Sequence, residues 1–251
     1  MGRFVLIISA LHFFSSYGFA FASLPSRADS LVNACEQAPT DLEDAGFTES
    51  SLQDFLKENA VVKVNDIRES YVIQFAVEIR KFPTAPELYL AKNGGDFHIL
   101  EGHGIGEDPS MGAFVKTFDG RTWMDVVGGG NEITRIVVNR LYEGHGSANV
   151  VLHERAHTLD IHGLPLHKSA FSKDPAWDDI MKHDVDFALV MNKVCGDYCM
   201  QNPNEAFAES FAMYFACPKT RDYLKDSPKV MNFMKKFTDG TYFPRNSSAA
   251  F

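Results

Sequence analysis

The pattern of apolar and polar positions divides the chain into three stretches. Residues 41–58 are mostly polar, with apolar positions at Leu42, Phe47, Leu52, Phe55 and Leu56, which predicts one or two short helices. Short runs rich in Val, Ile, Phe and Tyr then alternate with glycine-rich turn signals and predict strands at 71–79, 87–91, 97–100, 113–118 and 133–141. After that, helical spacing predicts helices at 148–161, 176–194, 203–216 and 228–237.

This order of helices, strands and helices predicts an α+β fold and not a sheet of parallel βαβ units. We expect short N-terminal helices, a small and mostly antiparallel twisted sheet, and a helical C-terminal half. No internal repeat, low-complexity tract or linker separates the stretches. Residues 23–251 are therefore interpreted as one domain.

Residues 1–22 have the features of a signal peptide. Arg3 precedes an apolar run at 4–14, and Ala20 and Ala22 form a small-x-small cleavage site. The run is shorter than the roughly 20 residues that a membrane-spanning helix needs, so an uncleaved anchor is the weaker alternative. We expect a secreted, extracellular monomer without a transmembrane segment.

Charge and cysteine content limit the possible partners and suggest cross-links. A formal charge of −9, without any basic patch, argues against a nucleic-acid partner. In an exported chain the four cysteines (Cys35, Cys195, Cys199 and Cys217) predict two disulfides, with three possible pairings. A metal site at Cys195 and Cys199 is the alternative, but Cys35 and Cys217 lack the short paired spacing of such sites. Asn246 begins an Asn-Ser-Ser sequon, which a eukaryotic source could glycosylate.

The stretch His153-Glu154-Arg155-Ala156-His157 matches the pattern HExxH. Residues four apart lie one above the other on a helix, so both imidazoles can bind one zinc ion. Glu154 would then lie beside the open coordination position, where a general base is needed. The pattern also occurs by chance, and its alternative interpretation is a solvated helical face. Apolar positions at Val150, Val151, Ala156 and Leu159 favour the metal site, because they predict a half-buried helix.

The third ligand is predicted about fifty residues downstream. A metzincin pattern would need Gly at 160 and His at 163, but the chain has Asp160 and Gly163 there. His162 is therefore expected to be a surface residue or a neighbour of the ligands. Glu205 follows a helix start at Asn202-Pro203 and shares a helix face with Glu209.

We expect Glu205 to complete a His-His-Glu set for one Zn²⁺ ion, as in gluzincins, and Glu209 to accept the spare ring N–H of a ligand histidine. A helix-capping role for Glu205, or a solvated face for both glutamates, is the alternative.

Three motifs resemble the anthrax lethal factor catalytic-domain family, and within it the secreted Pro-Pro endopeptidases. They are GRTWMDVVGGG at 120–130, GHGSANVVLHERAHTLD at 144–160 and YCMQNPNEAFAESF at 198–211. The resemblance implies a zincin fold and a peptidase with zinc bound by His153, His157 and Glu205. It also implies Glu154 as the general base and Tyr198 as the hydrogen-bond donor to the oxyanion. From the sequence alone, Tyr198 could instead be a packed aromatic residue.

The resemblance further assigns substrate contacts to Trp123 and to a glycine-rich flap that includes Gly129 and Gly130. A core position for Trp123 is the alternative. Asn204 and Arg121 stand where the Pro-Pro endopeptidases have an acidic residue and a lysine, which removes the basis for expecting proline on both sides of the cut.

Three functions follow from these residues. The first is a secreted zinc endopeptidase that acts on a peptide or protein substrate. The second is a zinc-holding binding protein or toxin component without catalysis, for which Glu154 has no evident use. The third is an exopeptidase, which would need groups that recognise a free amino terminus.

Overall fold

The computed structural model of the chain describes residues 31, 34–111, 122–143, 146–163 and 169–243. The predicted signal peptide, the predicted strand at 113–118, Arg121 and Asn246 lie outside these residues. The elements in chain order are α1 (Glu49–Glu58), β1 (Val61–Lys63), α2 (Glu69–Ile79), α3 (Thr84–Lys92), β2 (Phe97–Leu100), β3 (Gly128–Gly130), β4 (Thr134–Val137), α4 (Val150–His162), α5 (Pro175–His183), α6 (Val185–Val194), α7 (Asp197–Gln201), α8 (Pro203–Ala216), α9 (Pro218–Asp222) and α10 (Pro228–Lys235).

The sheet has four strands in the order β1-β2-β4-β3. Strands β1 and β2 pair in parallel, as do β2 and β4, whereas β3 pairs with β4 in antiparallel orientation. The expected α+β architecture with a small sheet and a helical C-terminal half is confirmed, but the expectation of a mostly antiparallel sheet is wrong. Parallel neighbours need long crossovers, and α2 and α3 form the crossover from β1 to β2.

The error in the sheet comes from two segments that are helical. Residues 71–79 lie within α2 and residues 87–91 within α3. Seven of the eleven residues of α2 are buried, including Gln74 and Glu78, so no solvated stripe marks a 3.6-residue period. A buried apolar run of this kind gives the same pattern in a helix as in a strand.

One face of the sheet packs on the main core, and α4 runs through that core. Phe97, Ile99 and Ile136 of the sheet belong to one buried cluster with Val151 and Leu152 of α4. A smaller cluster covers the other face, formed by Leu100, Ile105, Val126, Val127 and Val137 with the half-buried Trp123 against it. Helix α4 is thus enclosed by the sheet on one side and by the C-terminal helices on the other.

The C-terminal half is held by aromatic packing around α8. Trp177 of α5 lies edge-on to Phe187 and Phe207 and also contacts Phe233, and all four are buried. The predicted helix at 176–194 is divided into α5 and α6, with Asp184 capping the start of α6 by accepting a hydrogen bond from the Phe187 N–H. Among the described residues, no helix is both long and apolar enough to cross a bilayer.

Candidate metal centre

Helix α4 begins and ends at residues with clear capping geometry. The Asn149 side chain accepts a hydrogen bond from the Leu152 N–H at 3.0 Å and fixes the N-terminus. Gly163 ends the helix with φ +69°, a left-handed backbone conformation that favours glycine. The motif His153–His157 therefore lies wholly within one regular helix.

The whole of α4 from Val150 to Asp160 is buried, so it is not the half-buried helix that the sequence predicted. The side chains of the motif are among the buried ones: His153 is 8%, Glu154 5% and His157 9% exposed. The alternative of a solvated polar face is wrong. Buried polar groups of this kind need partners, because an unpaired one is costly.

Three side-chain atoms from α4 and α8 converge at one point. The Nε2 atoms of His153 and His157 are 3.1 Å apart, and the Oε2 atom of Glu205 lies 3.5 and 3.4 Å from them. Tetrahedral zinc with bonds of roughly 2.0–2.1 Å separates its ligand atoms by about 3.3 Å. The donor types and their spacing therefore fit a zinc ion, and this His-His-Glu group is the one such cluster found among the described residues.

Glu209 lies one helical turn after Glu205 and contacts α4 at two points. Its Oε2 atom is 3.1 Å from Nδ1 of His153, and its Oε1 atom accepts a hydrogen bond from the Ala148 N–H at 3.0 Å. The first contact orients the imidazole so that Nε2 faces the cluster. The second ties the same carboxylate to the residue just before the helix cap.

The electrostatics of the cluster favour bound positive charge. Burial alone would lower the pKa of His153, but hydrogen bonds to Glu205 and Glu209 outweigh it and raise that pKa well above its usual value. Burial would raise the pKa of Glu205, but hydrogen bonds to both histidines hold it well below its usual range. The carboxylates thus stabilise a cation between the imidazoles, whether a proton or a metal ion.

Helix α8 has the predicted bounds, but its first turn is held differently from the prediction. Asn202 occupies the N-cap position without a side-chain cap. Its Nδ2 atom instead donates to the Tyr198 carbonyl at 2.7 Å. Trp177 donates from Nε1 to the Pro203 carbonyl at 3.0 Å. Glu205 forms no capping box and lies in the cluster instead.

Tyr198 lies half-buried on α7, the five-residue helix that precedes α8. A disulfide joins Cys195 to Cys199 on either side of it, and a second joins Cys35 to Cys217. The prediction of two disulfides is confirmed, and the metal-site alternative for these cysteines is excluded, because no cysteine among the described residues is free.

The glycine-rich segment forms β3, which packs directly on α4. A Cβ atom at Gly130 would lie 2.0 Å from the Glu154 carbonyl oxygen, and one at Gly128 would lie 2.8 Å from Glu154 Cγ. Both positions therefore require glycine, because a side chain at either one would clash with α4. Gly129 faces Ile105 and Trp123 on the other side of the strand. The strand predicted at 133–141 is in part β4, an interior strand, whereas β3 lies at the edge of the described sheet.

Three further residues named from the sequence are not part of the ligand group. His162 points its Nε2 atom at the Glu132 carbonyl, 3.1 Å away, as expected for a histidine that is not a ligand. Trp123 packs against the smaller apolar cluster and is half-buried, so part of its ring remains accessible. Asn204 is exposed at the start of α8.

Sequence reasoning missed the role of Arg155, which lies between the two motif histidines. Its guanidinium is fully buried, donates from Nε to Glu87 at 2.8 Å, pairs again with Glu87 through Nη2 and lies 3.9 Å above the Phe97 ring. An arginine on a buried helix must have a partner of opposite charge, so Arg155 itself indicated a buried ion pair. The identity of that partner, 68 residues away, could not be predicted from the sequence.

The chain is similar to known proteins in sequence and in fold. A family model described as anthrax toxin lethal factor, N- and C-terminal domain, matches residues 54–237. The chain is 27% identical over 194 residues to a Pro-Pro endopeptidase of Paenibacillus alvei, covering 73% of this chain and 85% of the relative. It is 32% identical over 119 residues to a Pro-Pro endopeptidase of Clostridioides difficile, covering 46% and 50%. The solved structure of the Paenibacillus alvei Pro-Pro endopeptidase matches with a TM-score of 0.58 at 26% identity, covering 72% of this chain and 98% of that one.

Proposed function

The chain belongs to the anthrax toxin lethal factor family, and on that premise we propose that it is a secreted, zinc-dependent endopeptidase acting on an extracellular peptide or protein. The resemblance expected from three motifs is confirmed, and the match extends further towards the N-terminus than those motifs. The relatives named Pro-Pro endopeptidase support a peptidase function.

One observation carries the proposal. His153, His157 and Glu205 converge, while Glu154, which directly follows His153 and is also buried, is not part of the ligand group. A closed structural zinc site uses all four of its positions for protein ligands. Three ligands and a neighbouring carboxylate correspond instead to a hydrolytic site. Zinc bound there would polarise the substrate carbonyl and acidify the attacking water.

Among the described residues β3 is an edge strand, and its outer edge is the proposed docking site for an extended substrate. An added peptide strand would hydrogen-bond to this edge, while the face of β3 at Gly128 and Gly130 packs on the Glu154 segment of α4. The missing side chains at Gly128 and Gly130 let the strand lie this close to the helix. Trp123 and Gly129 lie on the other face of β3 and are proposed substrate contacts.

The chemical step uses two side chains outside the ligand set. Glu154 accepts a proton from water as the water oxygen bonds to the peptide carbonyl carbon, and it then delivers that proton to the amide nitrogen as the C–N bond breaks. The Tyr198 hydroxyl donates a hydrogen bond to the carbonyl oxygen as that atom becomes negative.

The test compares wild type, Glu154→Gln and the exposed control Glu58→Gln for zinc content and for cleavage of an end-blocked peptide library. We expect one zinc per chain in all three, and a loss of activity of about 10²–10⁴-fold in Glu154→Gln alone. Absence of zinc from the wild type would overturn the metal assignment. A zinc-loaded wild type inert on both the end-blocked library and the same library with free termini would favour a non-catalytic binding protein. Cleavage of the unblocked library alone would favour an exopeptidase.

A further inference from the structure

The Cys195–Cys199 disulfide closes a very short ring around Tyr198. Its cysteines are four residues apart, Cys195 is the C-cap of α6, and Cys199 lies within α7 and is 2% exposed. Between them Gly196 turns the chain with φ +62°. The bond therefore fixes the start of α7 to the end of α6 at a buried point, with Tyr198 inside the ring.

The second disulfide has a different position and a different physical effect. Cys35 and Cys217 are 182 residues apart, so their bond restricts a large loop of the unfolded chain. The entropy that a cross-link removes grows with the length of its loop, so a ring of five residues restricts the unfolded chain far less. The shorter bond mainly constrains local geometry.

Tyr198 is held on its other side by a hydrogen bond. The Asn202 side chain donates to the Tyr198 carbonyl at 2.7 Å, and Asn202 is the N-cap residue of α8. Glu205 follows three residues later. The tyrosine backbone is thus fixed to α6 by a covalent bond and to the ligand-bearing helix by a side-chain amide.

We propose that the Cys195–Cys199 disulfide is a positioning clamp that holds Tyr198 in register with Glu205. This inference rests on the proposed function, because it concerns the reaction in which Tyr198 is the oxyanion donor. Helix α7 has only five residues, too few to hold a fixed geometry through its own hydrogen bonds. Without the cross-link the backbone of α7 would be less restrained, and a displacement of the Tyr198 hydroxyl by about 1 Å can lower a rate about 100-fold.

The test is a double-variant cycle. The proteins are wild type, Cys195→Ala/Cys199→Ala, Tyr198→Phe and the combination, with Cys35→Ala/Cys217→Ala as the matched disulfide control. We expect Cys195→Ala/Cys199→Ala to lower kcat about 10- to 100-fold with little change in KM, because the oxyanion contact forms in the transition state. In the Tyr198→Phe background the same pair should cause little further loss. The control pair should lower the melting temperature most and kcat least.

Hydrogen exchange gives a readout independent of activity. We expect faster amide exchange at residues 196–202 in Cys195→Ala/Cys199→Ala, with exchange in α4 unchanged. If this variant does not fold, Asn202→Asp removes the other restraint, since it lacks the amide donor, and should lower kcat in the same Tyr198-dependent way.

The outcomes separate this inference from the proposed function. Equal kcat for wild type and the Cys195/Cys199 variant, or an undiminished loss in the Tyr198→Phe background, would overturn the clamp while leaving the peptidase intact. A wild type that cleaves no peptide would overturn the proposed function itself. The hydrogen-exchange data would then show whether the disulfide restrains residues 196–202 as a purely structural element.

Discussion

The two sides of the candidate site are built by different means. The ligand side lies where two long helices pack, α4 with 13 residues and α8 with 14, and its histidines are buried. The tyrosine side is a half-buried residue on a five-residue helix, where a disulfide and a hydrogen bond from Asn202 restrain the backbone. Core packing sets the first geometry and local restraints set the second.

This difference separates stability from activity. A change to the contacts of α4 should lower the free energy of unfolding and reduce zinc binding with it. A change near Tyr198 should lower the rate while the fold persists. Substitutions on the ligand side are expected to reduce the free energy of unfolding or of zinc binding by different amounts, from the contacts of Arg155 to those of Trp177.

The largest effect is expected from Glu87→Gln, which leaves the guanidinium of Arg155 buried without a full counter-charge. Breaking a buried ion pair by removing one partner costs about 3–5 kcal/mol. Both Arg155 and Glu87 are almost inaccessible to solvent. Urea unfolding of the metal-loaded protein measures the loss.

The matched control for Glu87→Gln is Asp178→Asn, which breaks the exposed pair between Asp178 and Lys182, 2.7 Å apart. Exposed pairs contribute little, so the control should unfold close to wild type. An unchanged unfolding midpoint for Glu87→Gln would show that α4 does not depend on this pair.

The next effect is expected from Gly130→Ala. The added methyl would lie 2.0 Å from the Glu154 carbonyl oxygen, a backbone atom that cannot turn aside. Forcing an extra methyl into a packed interface costs about 1–3 kcal/mol. Gly129→Ala is the matched control, because its methyl meets the end of the flexible Ile105 side chain at 2.7 Å. Equal unfolding midpoints for the two variants would contradict direct packing of β3 on α4.

A smaller effect, visible in zinc affinity, is expected from Glu209→Gln. The amide oxygen can still accept from the Ala148 N–H, but the negative charge beside Nδ1 of His153 is lost. Outer partners of this kind contribute about 10- to 100-fold to metal affinity, or about 1.4–2.7 kcal/mol. Competition with a chromophoric chelator measures the affinity. Glu154→Gln is the control that should keep wild-type affinity, and an equal loss in both variants would contradict the assigned roles.

The sequence predicted those parts of the site that depend on local geometry. His153 and His157 are one helical turn apart, and Pro203 marks the first turn of α8. The two helical segments that carry the candidate ligands could therefore be predicted from the sequence. Sequence spacing also separated His162 from the ligands. The bounds of α8, 203–216, agree with the structure because an N-terminal proline and a long apolar run leave few alternatives.

The features that depend on long-range pairing were not predictable. Residues 71–79 are buried on almost every side, which removes the polar stripe that distinguishes a helix from a strand. Cys35 could have paired with any of three cysteines, and only the fold brings it to Cys217. The Arg155 partner and the parallel strand pairing likewise depend on the tertiary arrangement.

The smallest effect on zinc affinity is expected from Trp177→Phe, which keeps an aromatic ring in the C-terminal core but removes the donor to the Pro203 carbonyl. Losing that hydrogen bond should lower the free energy of unfolding by about 1 kcal/mol, and the space left by the smaller ring at this buried position adds to the loss. Zinc affinity should fall less than in Glu209→Gln, because Trp177 holds the backbone two residues before Glu205 and not the carboxylate itself. Thermal unfolding and the same chelator competition measure both quantities. A zinc affinity as low as that of Glu209→Gln would mean that the ligand side depends on a local restraint at the start of α8, as the tyrosine side depends on its disulfide. The two sides of the site would then be built alike.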